Sequence, residues 1–239
     1  MTHMLFRGDP YQRDAAGQVV RITPEGGIVL NQSLFYPTGG GQPGDSGWII
    51  WDGNRLPIAT AIKGSADDIV LVPSEPQVLP PIGAHVQQEI DWDRRHRHMR
   101  IHTALHLLSV VVPFGVTGGQ ISATHGRLDF DMPDAPQDRE ALQDMLNDYV
   151  GADARVSETW ISQEALAAAP NLVKTMAVQP PKGAGDIRLV RIGEEDNWID
   201  LQPCGVTHVA RTGEIGALRL GKFEKKGRMN RRIYLHLDS

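Results

Sequence analysis

The chain has 239 residues, is 41% hydrophobic and 22% charged, and carries a formal net charge of −5. This is the composition of an ordinary globular protein of one large or two modest domains, and the acidic balance excludes a protein that coats nucleic acid through bulk positive charge. No apolar run approaches the roughly 18 residues of a membrane span, the N-terminus MTHMLFRGDP lacks an apolar signal core, and the single cysteine rules out an intrachain disulfide and points to a reducing, cytoplasmic setting.

Residues 1–90 read as all β. Short apolar runs at Val19–Ile22, Ile28–Leu30, Trp48–Trp51 and Ile69–Val72 are separated by Gly, Pro and Asp, the punctuation of a small barrel or sandwich. Asp52-Gly53, between Trp48–Trp51 and Arg55–Ile58, is a hairpin signal because tight turns demand positive φ. The stretch Phe35–Gly47 (FYPTGGGQPGDSG) holds Gly39, Gly40 and Gly41, which permit positive φ and close backbone approach. It is not a phosphate-binding P-loop, since neither Gly-Lys-Ser/Thr nor a helix pattern follows, and composition alone reads it as a short glycine loop. Pro73–Gly83 is Pro-rich and reads as a linker or edge loop.

From Asp91 the pattern changes. Asp91 caps an expected helix that runs to Val110–Val112 and stops at Pro113. Its first turns carry Arg94, Arg95, Arg97 and Arg100, whereas Ile101–Val112 is apolar on most sides and therefore buried. A second helix is expected over 136–150, where Leu142, Met145, Leu146 and Tyr149 keep helical spacing, and a short third over 163–169. Strands are expected at 155–161, 187–192, 215–223 and 233–237. The expected class is thus α+β, a small β-barrel domain over 1–90 followed by an α+β domain over 91–239.

Two spacings carry the chemistry. His102-x-x-x-His106 and Cys204-x-x-x-His208 each set two zinc-type donors about one helical turn apart, and four such donors match a tetrahedral shell. Either pair alone equally fits a buried histidine and a small core cysteine, and only a fold can join pairs about a hundred residues apart. HTALH lacks the glutamate of the metalloprotease HExxH motif. Four protein ligands would make a closed, structural shell, whereas a catalytic one keeps a position open, and the sequence leaves both possible. Asp200 reads either as an acceptor for a ligand imidazole or as a solvated strand-end carboxylate. Lys222–Arg232 holds six basic residues and one acidic one. Lys225, Lys226, Arg228, Arg231 and Arg232, helped by Arg94 and Arg97, are candidate phosphate contacts; the alternative is an ordinary solvated hairpin.

FYPTGGGQPGDSG, HTALHLL, QPCGVTHV with TGEIG just after, and KKGRMNRRI occur in that order. The combination resembles the freestanding alanyl-tRNA editing proteins of the AlaX group and the editing domain of alanyl-tRNA synthetase, over roughly residues 30–235. The resemblance implies an N-terminal β-barrel joined to an α+β catalytic domain, and an aminoacyl-tRNA hydrolase that removes serine or glycine from tRNA(Ala) with Zn2+ as cofactor. It implies His102, His106, Cys204 and His208 as zinc ligands, and Gly39–Gly41 as the loop that rejects the wrong aminoacyl group. Gln120 or Thr124 falls where the family places polar pocket residues, and these two with Asp200 are the candidate catalytic groups. The chain has no adenylate-forming region and is expected to edit in trans, without an obligate protein partner. One departure stands out: the family's CGGTH is CGVTH here, with Val206 at the second glycine. The rival expectations are a non-catalytic zinc-stabilised tRNA-binding module and a hydrolase of another mischarged tRNA such as Ser-tRNA(Thr).

Overall fold

Alternation of buried and exposed side chains builds the N-terminal strands. In Gly47–Trp51, for example, Ile49 and Trp51 are buried while Trp48 and Ile50 lie on the outer face. The computed structural model describes residues 1–174 and 185–238, in two compact units, Met1–Arg97 and His98–Ser239.

In the first unit, strands β1 (Asp14–Ile22), β2 (Ile28–Leu30), β3 (Gly47–Trp51), β4 (Asn54–Lys63), β5 (Ile69–Pro73) and β6 (His85–Ile90) close a barrel in the order β1-β2-β5-β4-β3-β6. Asp52 and Gly53 join β3 to β4 at φ values of 45° and 77°, the two positive φ angles of a tight hairpin turn. Strand β6 is absent from the sequence-based expectation because its inward row includes Gln88, which is fully buried. That amide receives the Leu34 N–H at 3.0 Å and donates to the Gln32 carbonyl at 3.1 Å, so it acts as a satisfied polar core residue.

Helix α1 (Trp92–Val111) begins in the first unit and ends in the second. Asp91 caps it by accepting the Arg94 N–H at 3.1 Å. Strands β7 (Val116–Ile121) and β8 (His125–Asp131) follow, then α2 (Arg139–Gly151), β9 (Val156–Ile161), α3 (Gln163–Ala168), β10 (Ile187–Gly193), β11 (Trp198–Pro203), β12 (Leu218–Gly227) and β13 (Asn230–Leu237). They form an antiparallel four-stranded sheet, β12-β13-β8-β7, and a three-stranded one, β9-β10-β11. Helix α2 starts three residues later than expected because Asp138, not Pro136, supplies the cap, accepting the Ala141 N–H at 2.9 Å. The strand expected from Ile215 starts at Leu218, since Thr212–Ile215 forms a 3-10 turn.

The ligand half of α1 packs on β8 at Gly126, where an added Cβ would lie 2.6 Å from Ile101 Cγ2 and 3.0 Å from Leu105 Cδ1. Phe130, Ile233, Leu235 and Leu220 continue this core. Among the described residues no helix is long and apolar enough to cross a membrane.

Candidate metal centre

Every residue from Ile101 to Ser109 is buried, so both histidines of HTALH project from α1 into the interior of the second unit. The other pair comes from the loop after β11. Cys204 and His208 are not on a helix, although their spacing equals one helical turn. Pro203 precedes the loop, and the Arg188 guanidinium holds it by donating to the carbonyls of Cys204 at 2.8 Å and Val206 at 3.1 Å.

The fold brings all four side chains together, their donor atoms within 4.8 Å of one another. Cys204 Sγ lies 3.2 Å from His208 Nε2 and 3.8 Å from His102 Nε2. Bonds of zinc length impose tetrahedral edges of roughly 3.3–3.8 Å, close to these two contacts, so the four residues could hold a metal ion. Two rings are fixed from behind. His106 Nδ1 meets Asp200 Oδ2 at 2.8 Å, and His208 Nδ1 meets Thr103 Oγ1 at 3.1 Å. Each contact leaves Nε2 for a metal and sets the ring plane. Thr103 in turn donates to the Met99 carbonyl at 3.0 Å. Among the described residues, the buried His102 Nδ1 has no hydrogen-bond partner.

Asp200 is 1% exposed. Besides His106 it holds the Gln202 amide at 2.7 Å and the Lys174 ammonium. Burial opposes its ionisation, but the His106 hydrogen bond and the His106 and Lys174 charges outweigh it and hold the carboxyl at about 2. Burial also opposes ionisation of Cys204, yet the imidazoles of His102 and His208 pull its thiol well below the ordinary value. Burial and the His102 charge push His208 down to about 3. In His106 burial is overcome by the hydrogen bonds to Asp200 and Cys204, which raise it to about 9. A thiolate beside neutral imidazoles is the charge state that soft divalent metals bind, and His106 would release its proton on ligation.

Gln120 and Thr124 belong to strand β7 and the turn that follows it. Gln120 lies exposed on β7 and accepts from Arg127 Nε at 3.2 Å. Thr124, in the turn before β8, has its Oγ1 3.2 Å from His125 Nδ1 and 3.5 Å from Ser122 Oγ. Neither hydrogen-bonds a member of the His/Cys cluster. The basic hairpin β12–β13 is also uneven. Lys225 and Arg228 are exposed, Lys226 pairs with Glu224 at 3.1 Å, Arg232 is held by both oxygens of Asp129 at 2.7 and 2.8 Å, and Arg231 is buried, donating to Gly227 and Asn230 carbonyls. Arg95, read with the basic start of α1, is fully buried and paired with Asp45, while Arg97 is exposed and Arg94 half-buried. The sequence signal for Thr103 is its place in the buried half of α1, where a hydroxyl needs a partner, whereas no local signal marks Gln202.

In the first unit the glycine stretch forms a definite turn. Gly39 and Gln42 exchange backbone hydrogen bonds at 3.1 and 2.9 Å around Gly40 (φ 57°) and Gly41 (φ 80°). Val206 holds a backbone conformation open to any L residue, with a buried side chain, so its loop does not require the family's glycine for conformational reasons.

Residues 187–234 match the family of the threonyl and alanyl tRNA synthetase second additional domain, and residues 11–94 that of the class II (A) tRNA synthetases. The chain is 31% identical to alanyl-tRNA editing protein AlaX-M of Methanosarcina acetivorans, over 99% of each chain, and 32% identical to that of Saccharolobus solfataricus, over 98% of each. It is also 32% identical to the alanine–tRNA ligase of Pyrobaculum arsenaticum, over 94% of this chain and 25% of the ligase. A barrel, an α+β unit and a buried His/Cys cluster, in this company, define the class of aminoacyl-tRNA editing domains. Within that class the chain belongs to the AlaX-M family of alanyl-tRNA editing proteins.

Proposed function

We propose that this protein is the trans-acting hydrolase that its family membership indicates, cleaving the ester of Ser-tRNA(Ala), and of Gly-tRNA(Ala), in the cytoplasm. The observation that carries the reading is the convergence of His102, His106, Cys204 and His208, with Asp200 and Thr103 fixing two of the rings. These four would hold Zn2+, which when bound lowers the pKa of a water or polarises a carbonyl. Cys204 is the partly exposed member and Gly205 is open beyond it, so the ester would approach along this loop. Asp200 and Thr103 keep the rings from turning.

Gly39–Gly41 is assigned the discrimination between aminoacyl groups. A site that hydrogen-bonds the serine hydroxyl rejects alanine strongly, because its own polar group would be left unpaired. Gln120 and Thr124 are assigned as polar pocket groups, with Asp200, as the resemblance implies. Lys225 and Arg228, with Arg97, are assigned to phosphates, in keeping with their exposure. The single cysteine, free in the structure, supports the reducing compartment.

A four-donor set also supports a second reading, a closed structural metal in a non-catalytic tRNA-binding module. Single-turnover deacylation of Ser-, Gly- and Ala-tRNA(Ala), beside Ser-tRNA(Thr), separates the readings. Loss of Ser-tRNA(Ala) well ahead of the other serine substrate is expected; survival of every substrate at the uncatalysed rate would leave the binding module.

A further inference from the structure

The outer face of the barrel carries an aromatic cleft with no role in the chemistry above. Strand β6 runs between β1 and β3, and its Glu89 sits in register between Asp14 and Trp48, with Gln87 next along the same face. Trp92, at the start of α1, closes one end. Together with Arg13 these residues line a cleft of about 310 Å³, the lower end of the size range of ligand sites. Both tryptophan faces carry a guanidinium: Arg13 lies 4.5 Å from the Trp92 ring and Arg55 4.3 Å from that of Trp48. Trp92 is buttressed by His96, stacked at 5.2 Å, and by Tyr11 at 5.4 Å. The carboxylates are largely engaged, Asp14 by the Gln87 amide at 3.0 Å and Glu89 by Arg55 at 3.1 Å.

Flat aromatic walls, arginines above them and amide and carboxylate groups on the floor are the complement of an unpaired base with its phosphate. An exposed guanidinium on an indole is held more weakly than a stacked base, so the base can displace it. The freed Arg13 or Arg55 is then placed to meet the phosphate, while Gln87 and Glu89 face the base edge. We propose that this cleft binds one or two unpaired nucleotides of a single-stranded RNA segment. The choice of RNA rests on the editing reading; the stacking site itself does not.

The test uses the full, zinc-replete chain and a labelled, unstructured hexaribonucleotide of mixed sequence, followed by anisotropy. Trp48→Leu is expected to weaken binding about 5- to 100-fold, the range for one lost base stack. Arg13→Gln, an exposed change that leaves the barrel core intact, is expected to lower the slope of log Kd against log salt by about 0.7, one phosphate contact on a single strand. A fully paired RNA of the same sequence should compete poorly. Kd values for both variants within twofold of wild type would overturn the proposal, as would a mononucleotide that competes as well as the hexamer, which would reassign the cleft to free nucleotides. Because the probe carries no amino acid, a failed cleft and a failed editing assignment are told apart: weakened binding in the variants with no deacylation by wild type would sink only the latter.

Discussion

Asp45→Ala should be among the most damaging single changes in the first unit. Asp45 is 1% exposed and Arg95 is fully buried. Arg95 Nε meets the two Asp45 oxygens at 3.0 and 2.9 Å, and Nη2 bonds Asp45 as well. Its remaining donors reach the carbonyls of Pro10 at 3.0 Å and Leu34 at 2.6 Å, and Asp45 also accepts the Tyr36 N–H at 2.6 Å. One ion pair thus pins the N-terminal segment at Pro10, the backbone at Leu34 and both ends of the glycine stretch to the first turn of α1. Removing Asp45 leaves a buried guanidinium with two neutral acceptors and takes the carboxylate from the Tyr36 N–H. Uncompensated buried charge of this kind costs about 3–5 kcal/mol. For a domain of this size that corresponds to a fall of roughly 10–40 °C in the unit's melting temperature. Urea unfolding followed by tryptophan fluorescence reads it, since Trp48, Trp51 and Trp92 report on this unit. The double change Asp45→Leu with Arg95→Met should recover most of the loss, because replacing both charges by apolar groups is often neutral. A loss below about 1 kcal/mol for Asp45→Ala, or a double variant no more stable than the single one, would refute the reasoning.

Four further outcomes follow from the same geometry. Cys204→Ala should lose most bound zinc by elemental analysis, and full retention would remove Cys204 from the shell. Asp200→Asn should weaken zinc affinity about 10- to 100-fold, read by competition with a chelator, since it loosens His106 and leaves Lys174 unpaired. Gly40→Val forces a β-branched residue to φ 57° and should cost at least about 1–2 kcal/mol, harming discrimination or turnover while leaving zinc content unchanged; lost zinc with unchanged discrimination would contradict the role assigned to this loop. Burial opposes ionisation of Asp129, but Arg232 and Arg127 hold its carboxyl below the ordinary range. Its contribution is therefore complete above the unfolded carboxylate value and lost as pH falls through the lower folded one. The stability advantage of wild type over Asp129→Asn should accordingly shrink below about pH 4, and a pH-independent difference would argue against it.

Much of the barrel and of the metal centre is legible in the chain because those signals are local. Val-, Ile- and Trp-rich runs between turn residues, Asp52-Gly53 with its paired positive φ, Asp91 as a cap and His102/His106 on a buried helix all follow from periodicity and backbone preference. Strands β6, β7, β8 and β11 were not legible, because Gln88 sits inward, Val116–Ile121 is glycine-rich, and Arg127, Asp129 and Asp200 interrupt the apolar pattern. Partners distant in sequence complete those polar positions, Leu34 for Gln88, Arg232 for Asp129 and His106 for Asp200, and no local window contains these. The same holds for charge. Arg95, Arg231 and Arg97 look alike in a basic run, yet the first is buried against Asp45, the second buried against backbone carbonyls, and only the third is exposed. Spacing alone proposed that two histidines share a helix face. That the thiol and third imidazole arrive on a loop held by Arg188, with Asp200 behind His106 and Thr103 behind His208, was decided by tertiary structure, because such contacts join residues 16 to 105 positions apart.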